Sequence, residues 1–328
     1  MPDLDSLSIL TLWTAIAIYA ASFIAYAFDL ARRSSVSDEA KTRMLVAAGG
    51  GEVSDAGARA SDGVAGSGDA PAKPRYLFAR IGTALAVLGF AFHLTATLTR
   101  GFAAGRVPWA NLYEFAMIGT LLIMGVYLVM LLRIDLKFLG SFITGLVLVL
   151  LGAAAANFYT EVTPLVDPLK SVWLVIHVFV ASLSTALFAL AFALSILQLL
   201  QARRERRVAE GVENAGPGFL RTLPAATRLE NMAYRFTVVG FIFWTFTLIA
   251  GAIWAQDAWG RYWGFDVKET WTFIIWVLYA GYIHARATRG WRGTPSAWLS
   301  ITGFAAVIFN FTIVNVFFKG LHAYSGLS

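Results

Sequence analysis

The residues of this chain best suited to chemistry are its four histidines. They are His93, His177, His284 and His322, and the chain contains no cysteine. Disulfides, thiolate metal sites and thiol redox chemistry by this chain are therefore excluded, and any metal chemistry has to use imidazoles, carboxylates or methionines. Two imidazoles on opposite faces of a porphyrin would give bis-histidine ligation of a haem iron.

An aromatic stretch at 254–271 is the second candidate for chemistry. It reads WAQDAWGRYWGFDVKETW, and the glycines at 260 and 264 allow a flat ligand to approach the backbone closely. An aromatic belt at the membrane surface is the alternative, since Trp and Tyr collect there, but a belt does not need glycines and acids between the rings. The stretch predicts a platform for a flat ligand, with candidate contacts Trp254, Trp259, Trp263, Phe265, Asp266 and Trp271.

Hydropathy predicts the elements that position these groups. Hydrophobic residues make up 58% of the chain and charged residues 14%, too few charges to cover a soluble protein of this length. Apolar runs of about 20 residues recur, each long enough to cross a hydrocarbon core of roughly 30 Å. We expect an all-α polytopic membrane protein with about eight transmembrane helices, near 8–30, 77–98, 112–132, 138–156, 172–200, 236–255, 270–287 and 297–318.

The distribution of Lys and Arg predicts the orientation. If the amino terminus is outside, the inner segments hold most of the 26 basic residues. This bias places both termini outside and the aromatic stretch on the outer, periplasmic side of a bacterial inner membrane. Basic inner loops also account for the net charge of +6, so no nucleic-acid partner is expected.

The chain divides into three parts. Residues 1–33 are expected to form a first transmembrane helix, retained because no basic segment precedes its apolar run. Residues 34–74 are rich in Gly, Ala, Ser and Asp and lack aromatic residues, which predicts a disordered cytoplasmic linker. Residues 75–328 form the transmembrane domain that carries the aromatic stretch.

Helical rise gives the depth of each histidine. His177 lies near the outer end of span five and His322 follows span eight, so we expect both beside the aromatic stretch. His284 lies about 14 residues down span seven, roughly 20 Å deeper, and is a functional candidate because ionisable residues are costly inside a membrane. His93 lies at another depth, so we do not expect it to share an iron with His284. A hydrogen bond to a backbone carbonyl is the alternative role for each.

Residues 259–271 resemble the tryptophan-rich WWD signature of haem-handling proteins. From about His93 onward the chain is similar to the CcsA branch (ResC-like, often labelled CcsB in bacteria) of system II cytochrome c biogenesis. The segment PWANLYEF at 108–115 also matches, as do His284 after the signature and His322 near the end. The chain departs from the signature at Phe265, usually Trp, and at 267, where Val replaces a frequent Pro. Phenylalanine keeps the ring but lacks the indole N–H.

The resemblance implies a haem exporter and cytochrome c synthase that works with a ResB-like membrane subunit. His177 and His322 would hold haem b on the outer side, where a Cys-x-x-Cys-His segment of apocytochrome c adds its thiols to the vinyl groups. His284 would serve a deeper haem site completed by the partner, while the role of His93 stays open. Other proteins would keep the substrate thiols reduced, and no residue of this chain is needed as a covalent nucleophile.

Two other functions remain open on the sequence. The chain could be a haem transporter or chaperone that delivers haem without synthase activity, or a membrane transporter or assembly subunit that never binds haem. The synthase hypothesis itself leaves open whether the chain is an enzyme alone or one subunit of a haem lyase.

Overall fold

The computed structural model describes residues 3–49, 77–212, 215–288, 290–318 and 320–322. Within these ranges the regular elements are all helical. The α-helices are α1 Leu4–Gly49, α2 Leu77–Ala104, α3 Leu112–Leu131, α4 Gly140–Asn157, α5 Val172–Ala209, α6 Ala226–Trp259, α7 Val267–Thr288, α8 Thr294–Phe311 and α9 Ile313–Phe317. Short 3₁₀ helices at Lys137–Leu139, Asp167–Lys170 and Gly218–Thr222 lie in the connections.

The chain is a polytopic helical membrane protein. Seven helices of the described part are long and apolar enough to cross a membrane, and they overlap seven of the eight predicted spans. The remaining predicted span coincides with α7, which is helical but less apolar, because tryptophans, tyrosines and His284 occupy positions that aliphatic residues hold in the other helices. The count of eight spans and the outward position of both termini stay predictions.

Helix α1 is longer than the predicted first span. It continues to Gly49, so residues 34–49 of the predicted linker are helical in this structure. Residues 34–49 contain Ala, Glu, Lys, Met and Leu, which favour helix, and the run of glycines begins only at position 49. The rest of the predicted linker lies outside the described residues.

The most extensive helix contacts join α1 to α2 and α5 to α6. Both pairs are antiparallel, and in each pair a serine hydroxyl of one helix donates a hydrogen bond to a backbone carbonyl of the other. Ser8 Oγ donates to the carbonyl of Ala96 at 2.8 Å, and Ser184 Oγ donates to the carbonyl of Gly240 at 2.7 Å. Such bonds contribute about 0.6 kcal/mol each in a membrane, where the hydrophobic effect does not drive helices together. Helices α3 and α8 also pack on α5, which makes α5 the central helix of the bundle.

Local sequence signals set where two helices next to the site begin. Asn111 caps α3 and accepts the backbone N–H of Glu114 at 2.9 Å. Ser171 caps α5 and accepts the backbone N–H of Trp173 at 3.2 Å. Each cap satisfies a donor that the first turn of a helix leaves without an intrahelical partner. The helix starts on either side of the site are therefore set by the sequence next to them.

Candidate functional site

His177 and His322 meet around Trp254 at one end of the bundle, which we call the loop end because it carries the α6–α7 connection. The His177 ring on α5 is stacked on Trp254 of α6, with ring centroids 5.9 Å apart and planes 17° apart. His322 follows α9 and lies edge-on to Trp254 at 5.4 Å and to Trp259 at 4.9 Å. The structure thus brings together two histidines and two tryptophans that the sequence placed at one site.

Each of these imidazoles is held through its Nδ1 atom. His177 Nδ1 lies 2.9 Å from the carbonyl oxygen of Thr247, and His322 Nδ1 lies 2.7 Å from Asp266 Oδ2. A carbonyl or carboxylate oxygen only accepts, so Nδ1 is the protonated nitrogen in both rings. Neither Nε2 has a hydrogen-bond partner in the described part of the chain. Carbonyls and carboxylates orient metal-binding histidines in this way.

Asp266 anchors the segment that carries His322. Its Oδ1 accepts the backbone N–H of Leu321 at 3.0 Å, while its Oδ2 accepts from the imidazole. The hydrogen bond from His322 lowers the pKa of Asp266 to about 2. Burial lowers the pKa of His322 below its ordinary value. At neutral pH a carboxylate therefore faces a neutral imidazole, whose Nε2 lone pair is available to a metal.

Two cavities adjoin the histidine pair. The larger lies between α3, α5, α6, α7 and α8 and is partly open to solvent. The smaller lies between α5, α6 and the start of α7 and is also partly open. The cavities share one set of lining residues: His177, Thr247, Trp254, Lys268, Thr272 and His322.

A porphyrin iron suits this donor set better than a bare metal ion. The described residues contain no group of three or more His, Asp or Glu side chains that could hold an ion. A porphyrin supplies four nitrogens itself and needs only axial ligands from the protein. Two oriented imidazoles beside cavities with aromatic walls fit that requirement.

Most of the predicted loop 254–271 is helical, and only residues 260–266 form the connection. Gly260 ends α6 at φ 71°, a left-handed conformation that glycine adopts without strain. Glu269 Oε2 accepts the backbone N–H of Gly264 at 2.8 Å and holds the connection against the start of α7. The tryptophans that contact the histidines therefore project from a helix, which fixes them more firmly than a loop would.

The other aromatic residues of the predicted platform lie in different environments. Trp263 lines the smaller cavity. Phe265 is 80% exposed at φ 58°, with its ring edge-on to Trp263 at 6.1 Å. Trp271 packs on Phe309 of α8 with centroids 4.4 Å apart and lines neither cavity.

The remaining two histidines lie apart from the pair. His93 is fully buried in α2, where the Tyr19 hydroxyl lies 3.4 Å from its Nδ1 and its Nε2 has no partner among the described residues. His284 is exposed on α7. Neither of them lines the two cavities.

The larger cavity has a wall that the sequence analysis did not assign to the site. Trp109 and Asn111 of segment 108–111 line it, and Glu114 holds this segment through backbone and side-chain hydrogen bonds. Glu114 is fully buried, and its carboxylate contacts Arg100 Nε at 3.0 Å and Arg106 Nη1 at 2.7 Å. It also accepts the backbone N–H of Ala110 at 2.9 Å. A buried carboxylate with two guanidinium partners fixes this wall relative to α2.

Two further residues of the site were not among the candidate contacts. Thr247 acts through its backbone carbonyl, which no sequence pattern marks. Lys268 stands in the aromatic stretch, where the sequence marks it only as one of several polar side chains. Its ammonium group lines both cavities.

Comparisons with known proteins identify the family of the chain. Residues 109–322 match the family described as "Cytochrome C assembly protein". A cytochrome c biogenesis protein CcsA from Guillardia theta is 34% identical over 244 residues, which cover 70% of this chain and 80% of that protein. The CcsA of Chlamydomonas reinhardtii is 35% identical over 233 residues, which cover 69% of this chain and 63% of that protein.

A solved structure, the cytochrome c heme lyase CcmF, is similar in fold. It aligns with a TM-score of 0.60 over 95% of this chain at 17% sequence identity, and this chain spans 47% of that one. The fold and the comparisons define a polytopic helical membrane protein of cytochrome c biogenesis. The chain belongs to the cytochrome c assembly protein family, with CcsA proteins among its relatives.

Proposed function

We propose that this chain binds haem b between His177 and His322 and presents it for covalent attachment to apocytochrome c. Haem is the substrate in this reaction. The observation that carries the proposal is the state of the two imidazoles. Both are fixed through Nδ1 by an oxygen acceptor, and both leave Nε2 free beside cavities that the two rings share.

The contribution of the protein is orientation and proximity, which can supply several kcal/mol of a barrier. Trp254 and Trp259 restrain the imidazole rings, and Asp266 restrains the segment that carries His322. Each thiol of the Cys-x-x-Cys-His segment adds across a vinyl double bond, so that sulfur bonds to one carbon and the proton goes to the other. No side chain is needed as a nucleophile, and a chain without cysteine offers no competing thiol.

The proposal includes an orientation in the membrane and partner proteins. The loop end would face the outer, periplasmic side of a bacterial inner membrane, as the basic-residue bias predicts. His284 is exposed on α7, so a ResB-like subunit could supply the second ligand of a deeper haem site. Thiol-reducing proteins would prepare the apocytochrome. His93 is enclosed by protein, and we assign it no ligand role.

The test is the visible spectrum of the chain co-expressed with its ResB-like partner and purified in detergent, beside a His177→Gly/His322→Gly variant. We expect a haem b spectrum that weakens in the variant and recovers with added imidazole, which can occupy the space left by the missing rings. A folded, haem-supplied complex that stays colourless contradicts the proposal.

A second assay separates synthase from transporter. Apocytochrome c is co-expressed with the complex, and its covalently bound haem is measured after denaturation. Thioether formation supports the synthase subunit. Haem bound normally at His177 and His322 without any covalent transfer supports the alternative, a haem transporter or chaperone.

A further inference from the structure

Lys268 places an ammonium group at the site without an ion-pair partner among the described residues. It lies in the first turn of α7, is half-buried, and lines both cavities. Its Nζ donates to Asn315 Oδ1 and lies 5.7 Å from the centre of the Phe311 ring. An ammonium has three N–H donors, and no other residue of the described part accepts from this one or pairs with it within 4.0 Å.

This placement is costly on two grounds. A cation removed from water without a counter-charge pays a desolvation penalty, and the positive end of the helix dipole lies at the same turn. The two carboxylates closest to Lys268 along the chain are engaged by other donors: Asp266 accepts from His322 and Leu321, and Glu269 accepts the backbone N–H of Gly264. The arrangement becomes favourable when an anion enters the cavity and binds the ammonium.

The wall around Lys268 is polar as well as cationic. Asn310 and Asn315 line the larger cavity beside it. Asn310 Nδ2 donates to Thr272 Oγ1 at 3.3 Å, whereas its Oδ1 is buried without a partner among the described residues. Other walls of the same cavity consist of leucine, phenylalanine and tryptophan side chains. The cavity therefore distinguishes a polar edge of a ligand from an apolar edge.

We propose that Lys268 and Asn315 bind a propionate carboxylate of haem and thereby decide which edge of the macrocycle enters the cavity. This inference rests on the proposed function. The propionate edge is anionic and the vinyl edge is apolar, so an ammonium in the cavity wall selects the propionates. The vinyl edge then lies away from Lys268, and it is this edge that the thiols of a peptide have to reach. Lys268 is thus a positioning residue that sets the orientation of the substrate.

The experiment compares haem with its dimethyl ester, in which both propionates are neutral and both vinyls remain. Each ligand is titrated by absorbance into the haem-depleted complex with its ResB-like partner. We expect the wild-type complex to bind haem at least about tenfold more tightly than the ester, the size of one charge-assisted hydrogen bond. Lys268→Met should bind the two ligands alike with an unchanged bis-histidine spectrum, and Lys268→Arg should keep the preference.

Lys170→Met is the matched control, because Lys170 pairs with Asp167 at the surface, with 60% of its side chain exposed. It should keep the wild-type preference for haem. Lys268→Gln provides a second neutral variant should the methionine variant not be recovered folded. A preference of equal size in the wild type and the neutral variants overturns this inference but leaves the haem site standing. A wild-type complex that takes up neither ligand overturns the proposed function itself.

Discussion

Substitution of Gly251 tests the geometry of the site without removing a ligand. Gly251 of α6 lies against the imidazole of His177. A Cβ at position 251 would lie 2.7 Å from Cε1 and 2.8 Å from Nδ1 of that ring. Ordinary contacts between such atoms are about 3.5–4.0 Å, so in Gly251→Ala the ring or α6 must shift by about 1 Å.

A shift of that size matters more for ligation than for folding. Distances in a metal site are held within about 0.2 Å, so a ring displaced by about 1 Å no longer ligates well. Loss of ligand orientation typically weakens metal binding by about 10- to 100-fold. Alanine is the better helix former by about 1 kcal/mol, which offsets part of the overpacking cost of about 1–3 kcal/mol. We therefore expect a folded protein with much weaker haem binding.

The assay is haem titration by absorbance together with chemical unfolding of the haem-free protein in detergent. Gly281→Ala is the matched control, since Gly281 lies on α7 with no atom within 4 Å of an added Cβ. It should bind haem as the wild type does and be equally or more stable. Wild-type affinity and spectrum in Gly251→Ala would refute the assignment of His177 as a ligand held by α6.

Three other perturbations address the surroundings of the pair. Asp266→Asn removes the charge that holds His322 Nδ1, so we expect haem titration to show about 10- to 100-fold weaker binding, and an unchanged affinity would contradict that role. Glu114→Gln removes the carboxylate that pairs with Arg106 and leaves Arg100 with Asp5 as its ion-pair partner, so chemical unfolding should show a loss of about 3–5 kcal/mol, while the exposed control Asp167→Asn should show none. Burial holds the pKa of His322 below its ordinary 6.5. A lowered pKa gives stability that is present above the unfolded value and is lost as pH falls. Protonation of His322 competes with ligation, so the haem spectrum should fade only below pH 6.5, and a loss centred at or above 6.5 would contradict this.

The membrane helices were predictable because hydropathy and the length of a membrane-spanning helix constrain them strongly. The neighbourhood of His177 and His322 was also predictable, since helical rise places both at the same level. The helical state of Trp259 was not predicted, because the predicted span six ended near 255 and the glycines between the aromatic residues indicated a long loop. In the structure Gly260 ends α6, and the residues before it stay helical.

The contacts that orient the imidazoles could not be read from residue types. Thr247 uses a backbone carbonyl, and Gly251 matters because it lacks a side chain. The direction of Lys268 depends on how α7 is rotated against α8 and α9, which is a property of packing. The sequence marked Asp266 as a candidate ligand contact, and the structure shows its hydrogen bond to His322.

The buried charges around Glu114 show that the part of the chain that matches the family differs in extent from the part that pairs these charges. The match to the cytochrome c assembly family begins at residue 109, yet the charge of Glu114 is balanced from outside that match. Arg100 of α2 contacts it, and Arg100 Nη1 in turn contacts Asp5 Oδ1 of α1 at 2.6 Å. A fragment that starts at residue 109 would bury an unpaired carboxylate. The segment that matches the family is therefore smaller than the unit in which the buried charges are paired, and α1 and α2 belong to the second.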